Sequence, residues 1–129
     1  MLREQPHGRG RLITWQGDVY EGDFIAGKFD GKGTYKSWDE NEYKGDFKKG
    51  HFHGQGTLYE ANTDSHFVGT FENGMKNGRG IITYPDKMTF EGAWADNKKN
   101  GKGIFRKPDK SVEEFYYVDG LEHGRFKIT

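Results

Sequence analysis

The chain has no cysteine among its 129 residues. That excludes a disulfide framework, a thiolate zinc site and a cysteine nucleophile. Charge of one sign is missing too: 20 Lys+Arg balance 20 Asp+Glu, for a net charge of +0. A general nucleic-acid binder is usually strongly basic, so no nucleic-acid partner is expected. No apolar run approaches the roughly 20 residues that a membrane-spanning helix needs. Met1 to Gly10 is polar and charged, so no signal peptide is visible and a cytoplasmic setting is expected. Proline occurs 3 times, and Leu, Ile and Val only 4, 6 and 4 times. Such scarcity hints at disorder, but disorder also goes with high net charge and few aromatics.

What the chain holds instead is 20 Gly with 10 Phe, 7 Tyr and 3 Trp. These cannot build a thick aliphatic core, and they point to a thin, repetitive structure. The repeat is visible directly. YEGDFIAGKFDGKGTY at Tyr20, YKGDFKKGHFHGQGTL at Tyr43, FVGTFENGMKNGRGII at Phe67 and FEGAWADNKKNGKGIF at Phe90 align, 23 or 24 residues apart. EEFYYVDGLEHGRFKI at Glu113 keeps the later half of the pattern, and HGRGRLITW at His7 is the tail of an earlier unit. With the first aromatic as position 0, glycine recurs at positions 2, 7, 11 and 13 and accounts for all but Gly17.

The pattern Y-x-G-x-F-x-x-G-x-x-x-G-x-G-x-hydrophobic resembles the MORN repeat, the membrane occupation and recognition nexus, over residues 7 to 126. The resemblance implies antiparallel β-hairpins stacked into an elongated, single-layered, twisted sheet. It also implies a non-catalytic adaptor, at home in cytoskeletal, ciliary and axonemal assemblies or at membranes. The chain departs from the pattern at Asn97, Phe115 and Phe126, and in the turns PDKM and PDKS, where an Asp-Gly is usual.

The residues agree with the resemblance. Two runs per unit alternate with period two, the signature of strands with one aromatic and one polar face. Positions 6 and 7 read AG, KG, NG, DN and DG, which suits tight hairpin turns. The expected architecture is an all-β, elongated, single-layered antiparallel meander. It forms one domain over 1–129: a partial unit 7–19, units 20–42, 43–66, 67–89 and 90–112, and a C-terminal cap unit 113–129. Met1–Gln5 is a candidate cap at the other end. Glycine inside strands suggests a ring over each one. If position 4 faces position 13, Phe24 covers Gly33, Phe47 covers Gly56, Phe71 covers Gly80 and Trp94 covers Gly103. Basic residues at position 12 and acidic ones at Glu21, Asp23, Asp46 and Glu91 should form cross-strand ion pairs.

No constellation for catalysis emerges, so an enzyme is not expected. The Gly-Lys-Gly pieces at Gly31 and Gly101 lack the Ser/Thr of a phosphate loop. Ser37, Ser65 and Ser111 have no repeated partner. His51 and His53 form an H-x-H pair that nothing completes into a metal site, and no cofactor is called for. Asp39, Asn62, Asp86 and Asp109 share position 19 and read as turn residues. Three features remain for binding. Tyr20, Phe24, Tyr43, Phe47, Phe67, Phe71, Phe90 and Trp94 line one face and suggest a groove for a helix, an extended peptide or a second copy. Trp15 and Trp38 sit in the turns between units, where exposed Trp marks interfaces. The run KKNGKGIFRKPDK gathers Lys98, Lys99, Lys102, Arg106, Lys107 and Lys110, an alternative contact for acidic phospholipids or an acidic protein.

Overall fold

The computed structural model describes residues 7–128. It contains eleven strands: β1 (Gly8–Ile13), β2 (Val19–Ile25), β3 (Lys28–Lys36), β4 (Glu42–Lys48), β5 (His51–Glu60), β6 (Ser65–Glu72), β7 (Met75–Thr83), β8 (Thr89–Ala95), β9 (Lys98–Arg106), β10 (Val112–Val118) and β11 (Leu121–Ile128). All lie in one antiparallel sheet in the order of the chain, β1 through β11. The single-layered meander expected from the repeat is therefore present, with no helix among the described residues.

The turns explain why each unit folds back on itself. Both turn residues of a hairpin hold left-handed φ: 51° and 80° at Ala26 and Gly27, 51° and 82° at Asn73 and Gly74, 50° and 70° at Asp96 and Asn97. A two-residue turn with positive φ at both positions matches the right-handed twist of the strands it joins. The turns between units place Gly17, Glu40, Lys87 and Lys110 at φ 98°, 73°, 69° and 72°. Gly17, the glycine outside the repeat, thus shares a backbone position with three residues that carry side chains.

Glycines align across the sheet. Gly10, Gly22, Gly33, Gly45, Gly56, Gly69, Gly80, Gly92 and Gly103 are successive partners from β1 to β9. The strands touch along this line: a Cβ on Gly22 would lie 2.5 Å from the Gly33 Cα. Phe115 takes the next place, facing Gly103.

The ring over each glycine is not the one expected. A register shift between positions 2 and 4 of β2, β4, β6 and β8 sets Phe24 opposite Phe29, not Gly33. The position 0 ring covers the glycine instead. A Cβ on Gly33 would sit 2.5 Å from the Tyr20 hydroxyl oxygen and 2.6 Å from its ring. That hydroxyl donates to the Asp23 carbonyl at 2.7 Å, drawing the ring along its own strand onto the glycine line.

A sheet with one layer still buries a core. Tyr20, Tyr43, Phe67 and Phe90 are almost fully enclosed. Beneath each lies a glycine. Edge-on at each side stand position 4 rings of its own and the next unit, as Phe24 and Phe47 do around Tyr20 at 5.1 and 5.0 Å. The position 9 side chain covers the top. Phe29 stacks on Tyr20 at 3.7 Å and Phe52 on Tyr43 at 3.8 Å. The charged face carries cross-strand ion pairs: Arg9 to Asp23 at 3.1 Å, Lys102 to Glu114 at 3.3 Å and Lys32 to Asp46 join neighbouring units, while Arg106 to Glu91 at 3.5 Å lies within one. β10 and β11 form a last hairpin turning at Asp119 and Gly120. The cap expected at Met1–Gln5 lies outside the described residues, as do the side chains of Phe126 and its neighbours.

Candidate functional site

The eight rings expected to line an open groove are its floor. Tyr20, Phe24, Tyr43, Phe47, Phe67, Phe71, Phe90 and Trp94 are all buried, at 0–6% exposure. They pack edge-on against one another, and little of their surface is exposed. The surface above them belongs to half-buried side chains that sequence reasoning passed over: Phe29, Phe52 and Tyr35, with Leu58, Tyr84 and Phe105. Their signal was the phase of the second strand, where odd positions share the face of the position 13 glycine. Phe29, Tyr35, Phe47 and Phe52, with His51 and two glycines, line a cavity of about 320 Å³ on this face. Trp15 and Trp38 lie apart from it, in the turns between units, and are exposed at 105% and 68%. Asp18 pins the second turn. It accepts from the Tyr35 hydroxyl at 2.7 Å and from the Trp38 amide at 2.9 Å.

Position 9 changes character along the ribbon. Units one and two carry Phe29 and Phe52; units three and four carry Lys76 and Lys99. Both lysines lie over the position 0 ring. Lys76 Nζ is 5.3 Å from the Phe67 centroid and 5.4 Å from Trp94, and donates to Glu60 at 2.8 Å. Lys99 Nζ is 4.6 Å from Phe90, 4.8 Å from Phe105, 5.3 Å from Tyr117 and 5.7 Å from Tyr84. Burial, and then the charge of Lys76, hold the Lys99 amine below the usual lysine range. Burial also pushes the hydroxyls of Tyr20, Tyr35 and Tyr43 up to about 12.

The basic run does not form one patch. β9 alternates, so Lys98, Lys102 and Arg106 face the charged side while Lys99 lies over the Phe90 ring. Lys102 pairs with Glu114 at 3.3 Å, Arg106 with Glu91 at 3.5 Å and Lys107 with Glu113 at 3.3 Å. Among the described residues, Lys98, Lys99 and Lys110 are the members of the run without such an ion pair. A different basic cluster forms from two hairpins: Lys28 of one and Lys48, Lys49, His51 and His53 of the next border a depression of about 480 Å³, with Glu72 and Asn73 of a third. A cavity of about 850 Å³ lies on the charged face between Lys36, Glu42, Lys44, Tyr59 and His66. Two contacts close within it: Lys36 pairs with Glu42 at 3.4 Å, and the Tyr59 hydroxyl donates to Asp64 at 2.9 Å. No group of three or more metal-binding side chains converges among the described residues.

Known proteins can be set beside this geometry. No curated protein matches the chain. Among solved structures it is similar to the SAS-4 (dCPAP) TCP domain of Drosophila melanogaster, solved in complex with a proline-rich motif of Ana2 (dSTIL). The TM-score is 0.58 at 14% identity, over 91% of this chain and 64% of that one. At that identity the likeness is one of fold. The chain spans less than two thirds of that neighbour. The MORN repeat model matches at residues 20–37, 43–63, 67–89 and 90–112. Repeats of this kind are non-catalytic modules for interaction with proteins or membranes. The four matches cover more than half of the sequence and coincide with the hairpins β2–β3, β4–β5, β6–β7 and β8–β9, so the chain belongs to the MORN repeat family.

Proposed function

We propose that this protein is a non-catalytic scaffold that holds an extended segment of another protein along its aromatic face. The observation that carries the reading is the row of half-buried rings, Phe29, Tyr35, Phe52, Tyr84 and Phe105, laid over a floor that is already closed. A partner needs only to cover this row, not to open the core. The proline-rich motif held by the SAS-4 TCP domain supports a peptide ligand, and so does spacing. Successive hairpins repeat every two strands, roughly 9.6 Å. A polyproline II segment repeats every three residues, roughly 9.3 Å. Such a segment laid across the strands meets one hairpin per turn. The setting we propose is a cytoskeletal or ciliary assembly, which rests on the family alone; imaging of the tagged chain in ciliated cells tests it. For binding, the test is selection from a displayed library of random peptides, with the site mapped by amide shifts. Enriched peptides that shift residues around Phe29, Tyr35 and Phe52 are expected. No enrichment, or shifts confined to the charged face, would refute the reading.

A second reading is contact with acidic phospholipid, and the cluster Lys28, Lys48, Lys49, His51 and His53 favours it. Clustered cations near an anionic surface attract it in a salt-dependent way. Sedimentation with anionic vesicles tests it. Charge reversal of Lys28, Lys48 and Lys49 is expected to abolish binding that reversal of Lys98, Lys102 and Lys110 leaves in place.

A further inference from the structure

The repeats act as controls for one another, and they single out Lys99. Lys76 shows what a position 9 lysine needs in this fold. Its stem covers Phe67, its ammonium lies against ring faces, and Glu60 neutralises it. Glu60 is supplied by the end of β5, two residues beyond Leu58, the partner of Phe67. One unit later the equivalent place, two residues beyond Ile82, the partner of Phe90, belongs to Tyr84. Lys99 therefore has the rings without the carboxylate. Four aromatic groups surround its Nζ within 4.6–5.7 Å. Among the described residues no carboxylate lies within ion-pair distance of it, and its charged neighbour is Lys76. Tyr84 and Tyr117 offer no negative charge, because burial raises both hydroxyls above their ordinary range.

We propose that Lys99 and the rings of Tyr84, Phe90, Phe105 and Tyr117 form an anchor for an acidic side chain of a bound protein segment. The partner's Glu or Asp takes the place that Glu60 holds beside Lys76. This rests on the protein-partner reading above and names its contact. Lys99 is half-buried and not enclosed. Ring faces stabilise an ammonium by electrostatic attraction, but they leave its N–H donors unused. A carboxylate accepts from those donors in a partly dry site, where charge-assisted hydrogen bonds are strong. The rings at the rim favour an apolar residue beside the acid. The recognised element is thus an acidic residue next to an aromatic or aliphatic one.

The experiment uses the full chain with ¹⁵N-labelled lysine. It is titrated with two blocked dipeptides, acetyl-Phe-Glu-amide and acetyl-Phe-Gln-amide. Saturable shifts of the Lys99 side-chain resonance with the Glu peptide, and binding roughly tenfold or more weaker for the Gln peptide, are expected. Lys99→Met keeps the stem over Phe90 and should lose the difference between the two peptides. Tyr84→Glu supplies the missing carboxylate from within. Compared with Tyr84→Gln, it should raise the titration midpoint of Lys99 and abolish the Glu peptide's preference. Equal binding of both peptides on the aromatic face would overturn the anchor while leaving the protein-partner reading intact. Shifts spread evenly over Lys98, Lys102 and Lys110 would also overturn it, as unspecific ion attraction. No binding of either peptide overturns it too, and the library selection then decides the broader reading separately.

Discussion

A single hydrogen atom in place of a side chain decides whether strands can approach here. At Gly56 an added Cβ would run into the Tyr43 ring. Gly56→Val is therefore expected to cost about 3 kcal/mol or more, the scale of severe overpacking. Thr57→Val, one residue along on the polar face, should stay within about 0.5 kcal/mol. Denaturant midpoints for the two variants check this. The contrast was legible in the sequence, although the ring responsible is Tyr43 and not Phe47. What hid the register was the shift inside each hairpin, whose mark, the position 11 glycine held at φ 97°, 64°, 100° and 94° at Gly31, Gly54, Gly78 and Gly101, was read only as part of the repeat. The covers at position 9 were hidden for another reason. Phe29 and Lys99 do the same job with different chemistry, so no composition rule joins them. Buried phenols supply a second residue-scale prediction. Tyr20, Tyr35 and Tyr43 titrate near 12 in the fold against an ordinary value of 10.0. A raised folded value means their contribution to stability is complete below pH 10. It is then lost as the pH climbs toward 12. Stability measured against pH should fall across that window, together with a rise in tyrosinate absorbance. Tyr43→Phe should soften the fall, since Phe67 and Phe90 show that the site accepts phenylalanine.

Turns set the length and hand of each element. The hairpin turns were readable from Asn-Gly and Asp-Gly, and Asn97 was readable as the residue that best replaces glycine at positive φ. The turns between units were not, because Glu40, Lys87 and Lys110 occupy left-handed backbone that no sequence rule assigns to them. Holding a side chain there costs roughly 1–2 kcal/mol. A glycine in its place loses about 0.4–1 kcal/mol through the freedom of the unfolded chain. Lys87→Gly is therefore expected to stabilise the protein by up to about 1 kcal/mol. The reverse change, Gly17→Lys, should lower the melting temperature. Thermal unfolding of the pair checks both signs. The basic run shows the opposite failure of reading. Cations close in sequence are scattered by the two-residue period of β9 and the turn after it, while Lys28, distant in the chain from Lys48 and Lys49, is gathered with them by the stacking of hairpins.

At the scale of the whole molecule, each strand touches the strands before and after it and little else. Stability is then close to a sum of units and the interfaces between them. Deleting residues 67–89 removes one complete unit and leaves the glycine line and ring spacing in phase. The shortened chain should fold with the same strand signature in circular dichroism and a lower melting temperature. It should also bring Glu60 beside Lys99, so the Lys99 titration midpoint should rise toward the ordinary lysine value. A collapsed or unfolded product would refute the independence of the units.

The hydrogen bonds of an antiparallel sheet run across its strands, so in this ribbon they run along its length. Eleven strands at about 4.8 Å spacing span roughly 48 Å. Tension between the two ends of the ribbon therefore loads one ladder at a time, in peeling and not in shear. Such a chain yields hairpin by hairpin at low force and recloses the same way, since each hairpin finds its partner next door. The fold is a tether with a built-in give of one unit per step, a mechanical property that a globular core of the same mass would not have.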